Sequence, residues 1–171
     1  RREELLSRRD GILQRLRSVV GDKIAASRIR THGDYYLEQA LFTGKDFVII
    51  DLEGEPLRTL SERRIKKTAI RDVANMLRSV HTAAYSVLES LAERGLVPNR
   101  AEEALEAWAQ YWLEHVRERF LRAYRVQEGI EKLVPTDDVV FQRLLDPYLL
   151  ERALFQLGLD LADRPERVEV A

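Results

Sequence analysis

Residues 32–39 read His32-Gly33-Asp34-Tyr35-Tyr36-Leu37-Glu38-Gln39, and twelve positions past Gln39 stands Asp51, inside the run DFVIIDLEGEP at 46–56. A histidine, a glycine and an aspartate in succession predict a tight polar turn carrying Asp34. The spacing of Leu37, Ala40 and Phe42 then predicts a short strand leaving it, and Gly44 and Lys45 predict a turn. Phe47, Val48, Ile49 and Ile50 form a continuous apolar run rich in β-branched residues, the pattern of a buried strand that Asp51 closes. Paired as a hairpin, the two strands bring Gln39 near Asp51. On alternating strand faces, Glu38 points away from the side that carries Gln39.

Those residue types in that order suit phosphoryl transfer. The reaction needs a carboxylate beside the acceptor hydroxyl and separate oxygen ligands for a metal, and Asp34 on one side with Gln39 and Asp51 on the other are candidates for both. One amide oxygen and a carboxylate are a sufficient protein share for magnesium, which keeps waters and takes further oxygens from substrate phosphates.

Residues 28–85, RIRTHGDYYLEQALFTGKDFVIIDLEGEPLRTLSERRIKKTAIRDVANMLRSVHTAAY, resemble the maltokinases of the aminoglycoside-phosphotransferase-like, protein-kinase-like superfamily. That family shows HGDYHLGQ, a glycine turn, DFVIIDFEGEP, SERR and RDVAGMLRS in this order. The likeness continues more weakly through 106–125 and 149–168. It implies ATP-dependent phosphorylation of maltose at its anomeric hydroxyl. It also implies that Asp34 is the catalytic aspartate, that Gln39 and Asp51 are magnesium ligands, and that Glu53 and Glu55 make either a second metal contact or an arginine pair. Many such kinases are fused to a trehalose synthase domain, which makes that domain an expected partner. Three positions depart from the family pattern: Tyr36 replaces a histidine, Glu38 a glycine and Leu52 a phenylalanine. Only 31 residues precede His32, too few for a nucleotide-gripping lobe, and the sequence holds no G-x-G-x-x-G turn. The chain is therefore expected to be a C-terminal lobe lying within a longer polypeptide, inactive alone, and self-associating to cover the surface beside its strands.

Composition sets outer bounds. A length of 171 residues is one domain or one large lobe, and 28 basic against 29 acidic side chains give no general attraction to nucleic acid or anionic membrane. No apolar run approaches the roughly 20 residues of a membrane span. The absence of cysteine excludes disulfides and fits a reducing cytoplasm.

Beyond Asp51 the pattern is helical. Helices are expected over 3–20, from Ile70 past Leu91 to a stop near Gly95, from about Arg100 to Gln127 or Gly129, and over 138–160 with Pro147 a start or kink. The fold class is α+β and mostly helical: a protein-kinase-like C-terminal lobe with catalytic and metal strands in 28–55 and a helical body over 68–165. Asp72, in the first turn of the long helix, suits either the helix dipole or a brace for the Asp34 loop, and His32 suits a structural hydrogen bond holding that loop. His81 lies on an apolar stripe as a core histidine. Leu105, Trp108, Trp112, Val116 and Phe120 share one helical face and are expected to be core, which leaves Tyr111 as the aromatic for sugar contact. Arg63, Arg64, Lys66 and Lys67 form a basic knot, either a phosphate or acidic-partner contact or a solvated loop balanced by Glu53, Glu55 and Glu62.

Overall fold

A computed structural model describes residues 6–17, 26–98 and 101–163. The elements in order are α1 (Arg9–Arg17), β1 (Arg28–Ile29), a 3-10 turn (Leu37–Gln39), β2 (Ala40–Phe42), β3 (Phe47–Ile49), α2 (Leu60–Arg64), β4 (Lys67–Thr68), α3 (Ile70–Glu93), α4 (Glu102–Arg125), a second 3-10 turn (Ile130–Lys132) and α5 (Asp138–Asp163). The chain is α+β and mostly helical. Residues 3–5 and 18–20 of the helix expected over 3–20 lie outside the described residues.

The core forms where the apolar stripe of α3 meets α5. Ala69, Ile70, Val73, Ala74 and Leu77 pack with Val134, Phe141, Leu144 and Leu145, and Ile70 and Leu145 are wholly inaccessible. Burial of such side chains is the main favourable term in folding, about 1.5–3 kcal/mol each. α3 ends where Gly95 takes the left-handed conformation, φ +64°, that closes a helix without a Cβ clash. Pro147 stands inside α5, so the helix runs through it although the proline supplies no N–H to the ladder. The second half of α4 reaches the core through Phe120, Leu121 and Tyr124.

Two two-stranded antiparallel sheets flank the helices: β1 with β4, and β2 with β3 in the register Ala40↔Ile49, Leu41↔Val48, Phe42↔Phe47. Two expectations are corrected here. Leu37 to Gln39 form a 3-10 turn rather than the start of a strand, because the Leu37 N–H is taken by Ser79 Oγ at 2.9 Å and the Gln39 N–H by the Tyr36 carbonyl at 3.0 Å. Strand alternation therefore does not govern Glu38, which is simply exposed. The β3 strand, apolar throughout, is not buried: Phe47 is 65% exposed, and Val48 and Ile49 are open as well. Nothing among the described residues covers it. No described helix is long and apolar enough to cross a membrane.

Candidate active site

The loop at 32–36 is held by one face of α3. Asp72 accepts the backbone N–H of His32 on Oδ2 at 2.7 Å and that of Gly33 on Oδ1 at 2.9 Å. Asn75, only 1% exposed, offers its amide nitrogen to the Gly33 carbonyl at 3.5 Å, and Ser79 takes the Leu37 N–H. Spacings of three and four residues set Asp72, Asn75 and Ser79 above one another on the helix, a polar seam beside the apolar stripe. Burial raises the Asp72 carboxyl above its ordinary range, against the pull of the two N–H groups it accepts.

His32 fastens the same loop to the hairpin. Its Nε2 lies 2.7 Å from the Ile50 carbonyl, and the Asp34 N–H approaches Nδ1 at 3.3 Å. The two contacts are satisfied together by the neutral imidazole with its hydrogen on Nε2, donating to Ile50 and accepting from Asp34. The next turn of chain crosses closely: Gly33 and Gly54 have φ of +83° and +82°, and a Cβ on Gly54 would stand 3.2 Å from the His32 carbonyl oxygen. That approach, together with the positive φ, requires glycine at 54.

Asp34 is half-buried, and its Oδ1 is enclosed without a hydrogen-bond partner among the described residues. Beside it lies Glu55, buried, whose carboxyl is pushed up first by burial and then by the negative charge of Asp34. Arg152 of α5 meets Glu55 at 3.1 Å, Nη1 to Oε2, with both side chains buried. Its guanidinium also lies over the Tyr36 ring at 4.8 Å and over Phe155 at 4.6 Å. Burial lowers the Arg152 pKa while Asp34 opposes that shift. The result is an aspartate with one enclosed, unpartnered carboxylate oxygen, a second carboxylate beside it, and a buried cation paired with that second carboxylate.

Gln39 and Asp51 lie at neighbouring positions of the hairpin. The Ile50 N–H donates to the Gln39 carbonyl at 3.0 Å, so Asp51 is one residue beyond the position facing Gln39. Asp51 is exposed and has φ +57°, a left-handed conformation that aspartate tolerates better than most residues. Among the described residues no three histidine or carboxylate side chains converge as a metal cage. One amide and one carboxylate are a poor site for zinc or calcium, and an adequate one for a hard ion that keeps its waters and binds substrate phosphates.

The other candidates lie apart from this cluster. Glu53 is on an exposed turn. Tyr111 is exposed on α4, edge-on to Trp108 with centroids 5.7 Å apart and close to the His115 ring at 4.3 Å. Trp108 and Trp112 are not core: Trp108 is 66% exposed, and both line an open apolar groove with Ala83, Val87, Leu88 and Leu105 between α3 and α4. His81 is half-buried, stacked on Tyr85 and 3.1 Å from Arg78, and burial followed by the Arg78 charge brings its pKa down to about 4. Sequence reasoning missed Asn75, Ser79 and Arg152. The first two had a signal, polar residues at three and seven positions past Asp72. Arg152 had none, standing 97 residues from its partner.

No family model matches the chain. Over 119 residues, 70% of the chain, it is 27% identical to a glucosamine kinase of Streptacidiphilus jiangxiensis, of which the match covers 24%. A solved glucosamine kinase, crystal form B, superposes with a TM-score of 0.76 at 21% identity over 98% of this chain and 38% of that one. A glucosamine kinase in complex with glucosamine, ADP and inorganic phosphate gives 0.74 at 22% identity over 98% of this chain and 37% of that one. The chain thus has the fold of one part of those kinases. It spans about a quarter of the curated relative's length and under two-fifths of the solved chains.

Proposed function

We propose that residues 1–171 form the acceptor-binding and catalytic lobe of an ATP-dependent sugar kinase. The observation that carries this reading is the enclosed carboxylate of Asp34, set on a loop that Asp72, Asn75 and His32 hold, with one oxygen that no group of the described residues satisfies. Asp34 orients the hydroxyl and accepts its proton as phosphorus is attacked. Glu55 and Arg152, paired with each other beside it, form the wall of the site behind that carboxylate. Gln39 and Asp51 would hold magnesium, which when bound neutralises charge on the transferred phosphoryl group. In this reading the nucleotide grip belongs to a part of the polypeptide outside residues 1–171.

Maltose, phosphorylated at its anomeric hydroxyl, is the acceptor that the motif resemblance implies, and a fused trehalose synthase would supply it. The comparisons favour a second acceptor, since each solved relative described above is a glucosamine kinase. The discriminating experiment is ADP release by the complete polypeptide with ATP, magnesium and either maltose or glucosamine, and NMR of the product to locate the phosphate. Saturable turnover with one sugar and not the other assigns the acceptor. Absence of turnover with every sugar offered would overturn the kinase reading.

A further inference from the structure

Behind the loop that carries Asp34, on the side of Gly54, is a cavity of about 10 Å³, the space of one water-sized atom. Its walls include the cationic side chains of Arg58, Arg63, Lys67 and Arg71, against two carboxylates, Glu55 and Glu62. Both carboxylates are engaged elsewhere: Glu55 pairs with Arg152, and Glu62 closes the capping box of α2 by accepting from Thr59 while meeting Arg58 at 3.8 Å. Arg58 also reaches Glu151 at 3.6 Å, and Arg63 donates to the carbonyls of Arg58 and Pro56.

Arg71 and Lys67 are different. Arg71 is 6% exposed and lines the cavity, and its side chain makes no hydrogen bond or close ion pair among the described residues, although its charge acts on the adjacent Asp72 carboxyl. Lys67, half-buried, has its pKa lowered by burial and by the charges of Arg71 and Arg58, with Glu151 and Glu62 only partly offsetting them. Two like charges drawn out of water and against one another are costly, and a counter-charge between them removes the cost.

We propose that this cavity is a binding site for a small anion, a halide or one projecting oxygen of a phosphate-like oxyanion, held by Arg71 and Lys67. The volume admits one water-sized atom, so a halide would need the flexible Arg and Lys ends to give slightly. Arg71 directly precedes Asp72, so an anion here fixes the segment whose carboxylate holds the His32 and Gly33 amides. The site is distinct from Asp34, Gln39 and Asp51 and does not depend on the kinase reading.

Chloride-35 NMR linewidths of the purified chain read the site directly, with chloride as probe and inorganic phosphate as competitor. Saturable broadening is expected, weakened about tenfold or more in Lys67→Met and in Arg71→Gln, since each removes a charge-assisted contact. Lys67→Met, at a half-buried position, is the variant that keeps the fold if Arg71→Gln does not, as circular dichroism will show. Loss of the broadening on adding phosphate identifies an oxyanion site, and persistence identifies a halide site. Broadening that does not saturate, or that a folded Lys67→Met retains in full, overturns the proposal.

Discussion

Glu55 and Arg152, 97 positions apart in sequence, form a buried ion pair at 3.1 Å directly beside Asp34. The pair ties the segment after Asp51 to α5. Removing one member of such a pair strands the other's charge in the interior, which costs roughly 3–5 kcal/mol. Arg152→Met should therefore lower unfolding free energy in urea by about that amount. Glu55→Gln keeps shape and hydrogen-bonding capacity and should cost less. Equal, small effects from both would show that water reaches the pair.

His81 gives a pH dependence with a definite sign. Its folded pKa of about 4 lies below the ordinary value of 6.5, so the native state resists protonation more than the unfolded chain. The stability this contributes is fully present above pH 6.5 and is lost as the pH falls toward 4. Solvent screening of the half-exposed ring keeps this contribution to about 1–2 kcal/mol. Denaturant titrations at pH 7 and pH 5 should show the loss in the wild type, and His81→Gln should flatten the part due to this residue. An unchanged slope would place the pH dependence elsewhere.

The uncovered hairpin predicts association. Phe42 and Phe47 face each other across β2 and β3 with ring centroids 5.1 Å apart, and both are exposed, as are Val48, Ile49 and Leu52. Apolar side chains exposed on both faces of a short open sheet make a surface that another copy or another domain covers. Light scattering of residues 1–171 should show a dimer or larger species that grows with concentration, and Phe47→Lys should shift it toward monomer. A monomer at every concentration would mean that this surface is tolerated in water.

How far the molecule is legible in sequence varies along the chain. The stripe from Ile70 to Val80 reads directly, because helical spacing and burial coincide there. Asp72 could be read two ways, and only the folded loop shows its carboxylate on two backbone amides. The 3-10 turn at Leu37 was not legible, since the hydroxyl that captures its N–H lies 42 residues away. Trp108 and Trp112 mislead for a related reason. Their spacing is that of a buried face, yet α4 reaches the core through Phe120, Leu121 and Tyr124, which leaves the tryptophans over a groove. Local pattern fixes the period of an element, whereas tertiary packing decides which stretch of its apolar face is covered.

The roles proposed for Asp34 and Asp51 separate in a magnesium series on the complete polypeptide. Asp34→Asn keeps the shape of the side chain and removes the proton acceptor, so the rate should fall by roughly 10² to 10⁴ with sugar binding nearly intact. Raising magnesium should restore nothing, because the lost step is proton transfer. Asp51→Asn removes a metal carboxylate, so the defect lies in magnesium affinity and part of the rate should return as the ion is raised. Sugar-dependent ADP release, measured for both variants from low to high magnesium, reads the difference. Losses of equal size that ignore magnesium would sink the separate roles, and the enclosed Asp34 oxygen would then serve the packing of the loop rather than the chemistry.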